Sequence, residues 1–351
     1  MTRHTVKLAL MATFFVMLVG LILQSNINRP RILVLHSYHP GYPWTMMVEE
    51  GLHRELDRHS WIQVRHHFMD TKRRSNAEHL RRAGAAARAA IEKIDPDVVI
   101  AVDDYAQLLA ARHYVNHPDI NIVFAGVNGG VQKYGYEGAQ NVTGIFERKP
   151  VVAIHETVEL LMLAAGRKVR DRTTKVALLS DATLSSGLDA DHLARADWAM
   201  LNYTGHRRVT DFEAWKAEVR ALSASADFIL IAGYRKLKTH PDADPRDPFV
   251  PAAEVMRWTE RHATVPAIGI NVYSTGDGAM LSIGPSGYHQ GSTAAIMAEK
   301  IIEGGIQPRD IPFETSLQYL VSYRASALKR HKFAVPAVFE ARARATGNYR
   351  D

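Results

Sequence analysis

The sequence contains no cysteine, which excludes disulfide bonds, thiolate metal ligands and a cysteine nucleophile. It also lacks a block of basic residues with aromatics between them, because its 43 lysines and arginines are spread along the chain among 37 acidic residues. The net charge of +6 over 351 residues therefore does not indicate a nucleic-acid partner. With 46% hydrophobic and 23% charged residues, the chain is neither disordered nor fibrous, and it is long enough for two domains.

Catalytic signatures are absent as well. The stretch "GPSGYHQG" around Ser286 has Tyr288 where a nucleophile elbow requires glycine. The stretch "GVNGG" lacks the spacing of a dinucleotide-binding loop, and neither a Walker loop nor an H-E-x-x-H motif occurs. We therefore expect no catalytic residues and no enzymatic activity.

Residues 1–30 have the pattern of an export segment. Arg3 and Lys7 precede a 16-residue apolar stretch from Leu8 to Leu23. This length lies between a signal-peptide core and a membrane-spanning helix, and the candidate cleavage site near Ser25 lacks small residues in the required positions. A buried helix of the globular fold is disfavoured because the stretch has no polar face. We predict a signal peptide or an N-terminal membrane anchor outside the globular body, and a periplasmic location with possible attachment to the inner membrane.

Strands and helices alternate from Arg31 onward. Predicted helices separate the first strands, which are "RILVL", "IQVRHHFM", "DVVIAV", "INIVFAGV" and "NVTGIF". The capping box Ser75-x-x-Glu78 predicts the start of one of these helices. A second series has the strands "KVALLS", "DFILIAG" and "PAIGIN", with one helix after Gly187 and another around Trp215 between the first two. This pattern predicts two α/β lobes with parallel sheets.

Five of the predicted strands end in polar or glycine-rich loops. In open α/β sheets ligands bind outside the carboxyl ends of the strands, so these loops are candidates for a site. Any such loop is polar by default, but five together favour a cleft between the lobes. The loops contain His36 to Trp44, Asp103-Asp104, Gly126 to Asn128, Ser180-Asp181 and Asn271 to Asp277.

The adjacent carboxylates Asp103 and Asp104 allow more than one interpretation. They could act as a general acid and base or hold a cation, but neighbouring side chains at a strand end point in different directions. We favour the interpretation that one of them caps the following helix while the other faces the cleft.

Histidines and aromatics near the first strand raise two further alternatives. His36 and His39, with His66 and His67, could hold zinc, but the chain has 17 histidines, most of them in polar helical stretches, and we predict no metal site. The aromatic residues of the first loop could stack on a ligand or merely cover the end of the first helix. They are Tyr38, Tyr42 and Trp44.

Several stretches resemble a known family in order and spacing. They are "ILVLHSYHPGYPWT", "FMDTKR", "VIAVDDYA", "IVFAGVN", "NVTGIFE" and "GYHQGSTAAIMAEKIIEGGIQPRDIP". Together, from about residue 31 to 336, they resemble the TrpX-like periplasmic substrate-binding proteins of an uncharacterised ABC-transporter family, which also occur as extracellular sensor domains of bacterial histidine kinases.

The resemblance implies a type I periplasmic binding fold, with two Rossmann-like lobes joined by three crossovers. The crossovers would lie near residues 145–149, 280–285 and 311–316. Lobe 1 would contain residues 31–146 and about 282–313, lobe 2 would contain residues 147–281 and about 314–336, and residues 337–351 would form a basic tail.

The resemblance also implies a function. The chain would capture a small polar or amino-acid-like ligand for an ABC permease, without a cofactor. A membrane-tethered sensory component is the alternative, and an exported enzyme on the same fold is a third. The segment "YSTGDGAMLSIG" follows the family's glycine-rich stretch only loosely. The ligand-binding residues implied by position are Ser37, Tyr38, Trp44, Asp104, Gly126, Asn128, Asp181, Ser186, Gly187, Asn271 and Asp277.

Overall fold

A computed structural model of the chain describes residues 7, 10–20, 29–164, 166, 173–244, 248–333, 337–345 and 347–351. Its strands are β1 (Arg31–His36), β2 (Gln63–Phe68), β3 (Val98–Val102), β4 (Asn121–Val127), β5 (Val142–Phe146), β6 (Thr174–Asp181), β7 (Leu201–Val209), β8 (Phe228–Ile231), β9 (Ala267–Gly269), β10 (Leu281–Pro285), β11 (Glu314–Thr315), β12 (Tyr319–Arg324) and β13 (Tyr349–Arg350). Its α-helices are α1 (Pro43–Leu56), α2 (Ala77–Ile94), α3 (Asp103–Leu109), α4 (Val151–Ala164), α5 (Leu184–Arg195), α6 (Phe212–Ser225), α7 (Ala252–His262), α8 (Ser274–Asp277), α9 (Gly287–Ile302), α10 (Ala325–Arg330) and α11 (Ala337–Ala345). Short 3₁₀ helices cover Ala111–Tyr114, Val131–Tyr134 and Pro308–Asp310.

The first lobe is built on a six-stranded sheet in the order β11-β5-β4-β3-β1-β2, and all its neighbouring strands are parallel. Strands β1 and β3 are apolar over most of their length and are buried on both faces, as expected for a parallel sheet covered by helices. Helices α1 and α9 cover one face, and α2 and α3 cover the other.

Helix α1 begins with Pro43 at its first turn, where a missing backbone N–H costs nothing. Its inward face carries Val48, Leu52 and Leu56, spaced four residues apart. Helices α1 and α9 pack closely enough that a Cβ on Gly51 or on Gly291 would lie 2.0 Å from a backbone oxygen of the other helix. Glycine at these positions therefore permits the contact.

The N-cap of helix α2 lies one residue later than the sequence predicted. The side chain of Asn76, not of Ser75, accepts a hydrogen bond of 2.8 Å from the backbone N–H of His79. Asparagine and serine are comparable N-caps, so the choice between the two neighbours is decided by backbone geometry.

The second lobe contains a seven-stranded sheet in the order β13-β12-β10-β9-β8-β6-β7. Only the β10–β12 pair is antiparallel among its described strand pairs. Apolar clusters fill both faces of this sheet, with Trp215 fully buried in one of them.

Two elements of the second sheet differ from the sequence expectations. Strand β7 was not predicted, because this edge strand has the largely polar sequence "LNYTGHRRV" and no apolar run. The residues predicted as a peripheral basic tail instead contribute α11 and β13, and β13 pairs with β12. Tyr349 packs edge-on against Tyr323 at 5.5 Å, and the Arg344 guanidinium lies 3.5 Å from the Tyr349 ring centre, so apolar and cation–π contacts hold this segment in the lobe.

The chain passes between the lobes three times. The first passage, residues 147–150, follows β5; the second, at residue 286, follows β10; and the third, residues 316–318, joins β11 to β12. Strand β10 thus lies in the second sheet and β11 in the first, a few residues beyond the boundaries that we expected.

The described part of the apolar N-terminal stretch, residues 10–20, is helical and exposed along its whole length. This agrees with a position outside the lobes. Within the described ranges, no helix is both long enough and apolar enough to cross a membrane.

Candidate functional site

The carboxyl ends of the parallel strands of both lobes face a common cleft. The cleft has an empty volume of about 460 Å³, part of it open to solvent. It is lined by Tyr38, Tyr42, Trp44, Lys72, Asp103 and Asn128 of lobe 1, by Glu147 and Lys149 of the first passage, and by Asp181, Ser185, Ser186, Asp189, Gly233, Tyr234, Arg235, Asn271 and Tyr273 of lobe 2.

The two lobes touch each other across the cleft. The hydroxyls of Tyr42 and Tyr273 are 3.2 Å apart, and Lys72 Nζ donates a hydrogen bond of 3.2 Å to Ser185 Oγ. Both contacts join residues far apart in sequence, one from each lobe. The structure is therefore in a closed arrangement, in which a ligand would be surrounded on both sides.

Aromatic rings and cations form one wall of the cleft. Tyr38 and Tyr42 meet edge to face at 5.0 Å, and Tyr42 meets Tyr273 in the same way at 6.0 Å. Lys72 Nζ lies 4.9 Å from the Tyr38 ring centre, and the Arg235 guanidinium lies 4.9 Å from that of Tyr273. Such a wall can stack on an apolar ligand body while its cations attract an anionic group.

Asp103 places an unpaired carboxylate oxygen in the cleft. The residue follows β3 directly and has a φ of 67°, a left-handed conformation that non-glycine residues rarely adopt. Its side chain is buried, and its Oδ2 has no hydrogen-bond partner among the residues that the structure describes. Burial raises the pKa of Asp103 well above its usual range, and the charges of Glu147 and Asp104 act in the same direction. A buried acceptor without a partner is unfavourable, so this oxygen can gain substantially from a ligand donor.

Asp104 has a different task. Its carboxylate accepts hydrogen bonds from the Asn128 backbone and side chain, both 3.3 Å, from Gly129 N–H at 3.1 Å, and from the Tyr134 hydroxyl. It therefore holds the loop after β4 in place. The expected roles of the two aspartates are corrected: Asp103 faces the cleft, and neither side chain caps α3, because no cap hydrogen bond exists at that terminus.

Buried charges connect the first passage to lobe 2. Lys149 Nζ lies 2.5 Å from Glu147 Oε1, 3.0 Å from Asn271 Oδ1 and 3.5 Å from Asp189 Oδ2. Burial raises the pKa of Asp189, although the nearby Lys149 ammonium opposes that shift. This network therefore fixes the first passage against residues of lobe 2.

Asp181 organises the second-lobe wall at the end of β6. Its Oδ1 accepts hydrogen bonds from Ser186 Oγ at 2.6 Å and from Thr183 Oγ1 at 2.7 Å, and its Oδ2 accepts from Lys236 N–H at 3.2 Å. A Cβ on Gly233 would lie 2.2 Å from Ser186 Oγ, so only glycine fits beside this cluster. The result is a preformed hydroxyl surface at the start of α5.

Six of the residues that the sequence analysis nominated line the cleft. They are Tyr38, Trp44, Asn128, Asp181, Ser186 and Asn271.

The other five nominated residues are not part of the lining. Most of them instead hold neighbouring strands, loops or lining side chains in position. Ser37 Oγ donates to Val102 O at 2.7 Å and accepts from Ala106 N–H at 2.8 Å, so it ties β1 to α3. Gly126 has a φ of 65° and packs beneath Trp44 and Asp103. Asp277 accepts a hydrogen bond of 2.5 Å from Arg235 and so orients it. Asp104 holds the loop after β4, as described above. A Cβ on Gly187 would point into open space.

Sequence reasoning missed several lining residues for identifiable reasons. Arg235, Tyr234 and Gly233 follow β8, a strand whose exit we did not examine, although the rule used for the other strands would have included them. Lys72 lies four residues beyond the end of β2, in the quoted stretch "FMDTKR". Glu147 follows β5 directly, but the exit of β5 was not among the strand ends considered, and Lys149 lies two residues further into the passage between the lobes. Ser286, examined as a nucleophile, is the N-cap of α9.

Comparisons with known proteins give no match to a family model or to a curated protein sequence. Solved structures do match. A conserved domain protein from Vibrio cholerae O1 biovar El Tor strain N16961 has a TM-score of 0.65 at 16% identity, over 90% of this chain and 98% of the other. The ABC domain from Streptococcus pneumonia in complex with L-Trp has a TM-score of 0.63 at 12% identity, over 88% and 98%. The ligand-free, open structure of a substrate-binding protein with adhesive properties from Clostridium difficile has a TM-score of 0.62 at 14% identity, over 88% and 96%.

These matches concern the fold. The chain has the type I periplasmic binding fold with two Rossmann-like lobes, as the sequence resemblance implied. The solved structures that share this fold include substrate-binding proteins of ABC transporters, in agreement with the family that the sequence resembles.

Proposed function

We propose that this chain is a periplasmic solute-binding protein that encloses a small amino-acid-like ligand between its lobes and delivers it to an ABC permease. The observation that carries the proposal is the unpaired, buried Oδ2 of Asp103 in a closed cleft between the lobes. Most buried polar groups in proteins have a hydrogen-bond partner, so an acceptor without one that lines a cleft between two lobes favours a site that a ligand donor completes.

The chemistry of the cleft favours a ligand with both a cationic and an anionic group. Asp103 can accept hydrogen bonds from a ligand ammonium group, and the charge on that ammonium would favour the ionised carboxylate. Lys72 and Arg235 can meet a carboxylate, and the tyrosines can pack on the body between the two ends. An α-amino acid with an apolar or aromatic side chain has this combination. The L-Trp bound to the Streptococcus pneumonia domain is a ligand of the same kind.

A thermal-shift screen of the full-length chain tests the proposal. The screen should contain amino acids, simple amines, sugars and nucleosides. A bound ligand at about 100 times its dissociation constant adds roughly 2.7 kcal/mol to the free energy of unfolding, which is easily detected. We expect α-amino acids to raise the melting temperature, and amines without a carboxylate to do so less.

The variant Asp103→Asn assigns the effect to the site. Loss of a charged partner in a buried pair weakens binding by about 2 kcal/mol or more, so the dissociation constant should rise at least about thirtyfold in calorimetry. The free variant should melt at the same temperature or higher, since Oδ2 of the wild-type carboxylate is buried without a partner. The surface variant Asp119→Asn is the matched control and should bind normally. Absence of any stabilising ligand would contradict the proposed function, and normal binding by Asp103→Asn would remove Asp103 from it.

A further inference from the structure

A second group of functional side chains lies in lobe 1, outside the cleft lining. Glu49 of α1 is bracketed by two histidines: its Oε1 lies 2.5 Å from His36 Nε2, and its Oε2 lies 3.2 Å from His66 Nδ1. One ligand atom from each of the three residues lies within 4.8 Å of the others. His36 is fully buried and Glu49 and His66 are partly exposed, so the group is open to solvent on one side.

The fold brings these residues together through two regular elements. Strands β1 and β2 are parallel, with Val34 opposite His66, so His36 and His66 lie diagonally on one face of the sheet. Helix α1 covers this face and presents Glu49 to both imidazoles. Phe68 stacks on both rings, at 5.1 Å from His36 and 6.3 Å from His66, which limits their orientations.

A fourth side chain lies beside the group. His53 is one helical turn after Glu49, and its Nε2 is 3.5 Å from Glu49 Oε2. Its other ring nitrogen is 3.2 Å from Asp57 Oδ1. A carboxylate on the far nitrogen is the arrangement that orients metal-bound histidines in proteins.

The donor set indicates which ion would fit. Imidazole nitrogen and carboxylate oxygen suit Zn²⁺, whose bonds to them are about 2.0 to 2.2 Å long. Ligands of one tetrahedral zinc ion are then about 3.4 Å apart. Glu49 lies 2.5 Å from His36 and 3.2 Å from His66 in the structure, so small side-chain shifts would admit the ion. Calcium and magnesium are disfavoured because they bind oxygen and the group offers mostly nitrogen.

We propose that His36, Glu49 and His66 form a Zn²⁺-binding site on lobe 1, with His53 available as a fourth ligand. This proposal differs from the sequence-based expectation of no metal site. It also uses a different set of residues from the four histidines considered there. His39 is not part of the group, and its ring lies beside Asp70 instead, at 3.5 Å. His67 does not take part either, because successive strand residues point to opposite faces. A metal here would tie the end of β1, one residue before the cleft loop, to α1 and β2.

Calorimetric titration of the full-length chain with Zn²⁺ tests this site, after removal of metals with a chelator. We expect one ion per chain. The variants Glu49→Gln and His66→Ala should each weaken Zn²⁺ binding at least about tenfold. Loss of a residue that only hydrogen-bonds to a metal ligand already lowers affinity by about this factor, and loss of a ligand should lower it at least as much. His67→Ala, the next residue on the same strand, is the matched control and should bind Zn²⁺ normally. Circular dichroism and melting temperature confirm that each variant is folded.

Co²⁺ provides a readout that is independent of affinity. The wild-type chain should give the intense visible absorption of a four- or five-coordinate Co²⁺ site, and His66→Ala should lose it. The proposal is overturned if the wild-type chain binds no Zn²⁺, or if both variants bind it as tightly and in the same ratio as the wild type, which would indicate other surface histidines. The solute screen can be run with chelator present, which keeps the Zn²⁺ site empty. The result for solute binding in the cleft is therefore independent of the result for Zn²⁺ binding on lobe 1.

Discussion

Tyr42 of the first lobe and Tyr273 of the second meet hydroxyl to hydroxyl across the cleft, 3.2 Å apart. The Arg235 guanidinium lies beside both rings, 5.7 Å from the centre of Tyr42 and 4.9 Å from that of Tyr273. The contacts of Tyr42 with Tyr273 and with Arg235 exist only while the lobes are closed, because Tyr42 belongs to lobe 1 and the other two residues belong to lobe 2. They therefore stabilise the closed arrangement relative to an open one.

Replacing Tyr273 by phenylalanine should favour the open arrangement. The change removes one hydrogen bond of the closed arrangement, about 0.5 to 1.5 kcal/mol, and leaves the ring in place. We expect the ligand found in the screen to bind roughly twofold to tenfold more weakly. Small-angle X-ray scattering of the ligand-free variant should give an equal or larger radius of gyration.

The control for this change is Tyr203→Phe in the second lobe. Within the described part of the chain the Tyr203 hydroxyl has no hydrogen-bond partner, so its removal should leave both affinity and dimensions unchanged. Equal affinity of Tyr273→Phe and the wild type would show that the hydroxyl pair does not contribute to closure.

Asp104→Ala should affect stability first. The carboxylate is buried and accepts hydrogen bonds from the loop after β4, so its loss leaves several donors without a partner. A buried donor that loses its partner costs about 1 to 3 kcal/mol, and urea denaturation should show a loss of at least that size. Asp103→Asn should show no such loss. A stable Asp104→Ala variant with strongly weakened ligand binding would contradict this assignment and restore Asp104 as a ligand contact.

Lys149→Met should be among the more destabilising single changes at the site. Glu147 and Asp189 are both buried and would lose their common cation. Breaking a buried ion pair by removing one partner costs about 3 to 5 kcal/mol, measured as the free energy of unfolding. The exposed Lys133→Met provides a control and should change stability little. The double variant Lys149→Met with Glu147→Gln should recover part of the loss, and a loss below about 1 kcal/mol in the single variant would argue against the network.

Lys236 should make stability depend on pH. Burial, together with the charge of Lys72, lowers the pKa of Lys236 to about 7. Its ordinary value in an unfolded chain is about 10.4, so between these two values the unfolded chain binds more protons than the folded chain. Stability from this residue therefore rises with pH through that range, and the destabilising effect is fully present below pH 7.

The variant Lys236→Met isolates this contribution. It should be more stable than the wild type at neutral pH, and the difference should shrink as the pH rises toward about 10. Urea denaturation of both proteins at several pH values measures this directly. A constant difference between them would show that Lys236 titrates normally.

Much of the fold could be predicted from local patterns. Apolar runs such as "DVVIAV" are too short for helices and too apolar for surface strands, and they became the buried strands of parallel sheets. The same reasoning failed for β7 and β13, because an edge strand needs no continuous apolar run and a two-residue strand has no pattern at all. These strands form because a neighbouring strand offers them hydrogen bonds, which is a tertiary condition.

The cleft was located by a topological rule, and its side chains were assigned less well. Strand exits indicated where a ligand would lie, since the carboxyl ends of parallel strands meet at one edge. Whether Asp103 or Asp104 points there depends on a single positive φ at Asp103, and neighbouring residues in a sequence give no sign of it.

The sequence alone was enough to predict two α/β lobes, the edge at which they face each other and the exposure of residues 10–20, because these follow from hydrophobic periodicity and from polar strand ends. Only the tertiary structure decided that Lys149 joins Glu147 and Asn271, that Tyr42 meets Tyr273, and that Glu49 lies between His36 and His66. Each of these groups combines residues from different elements or from different lobes. Their proximity depends on strand register, helix packing and lobe closure, which are set by long-range contacts that no local pattern encodes.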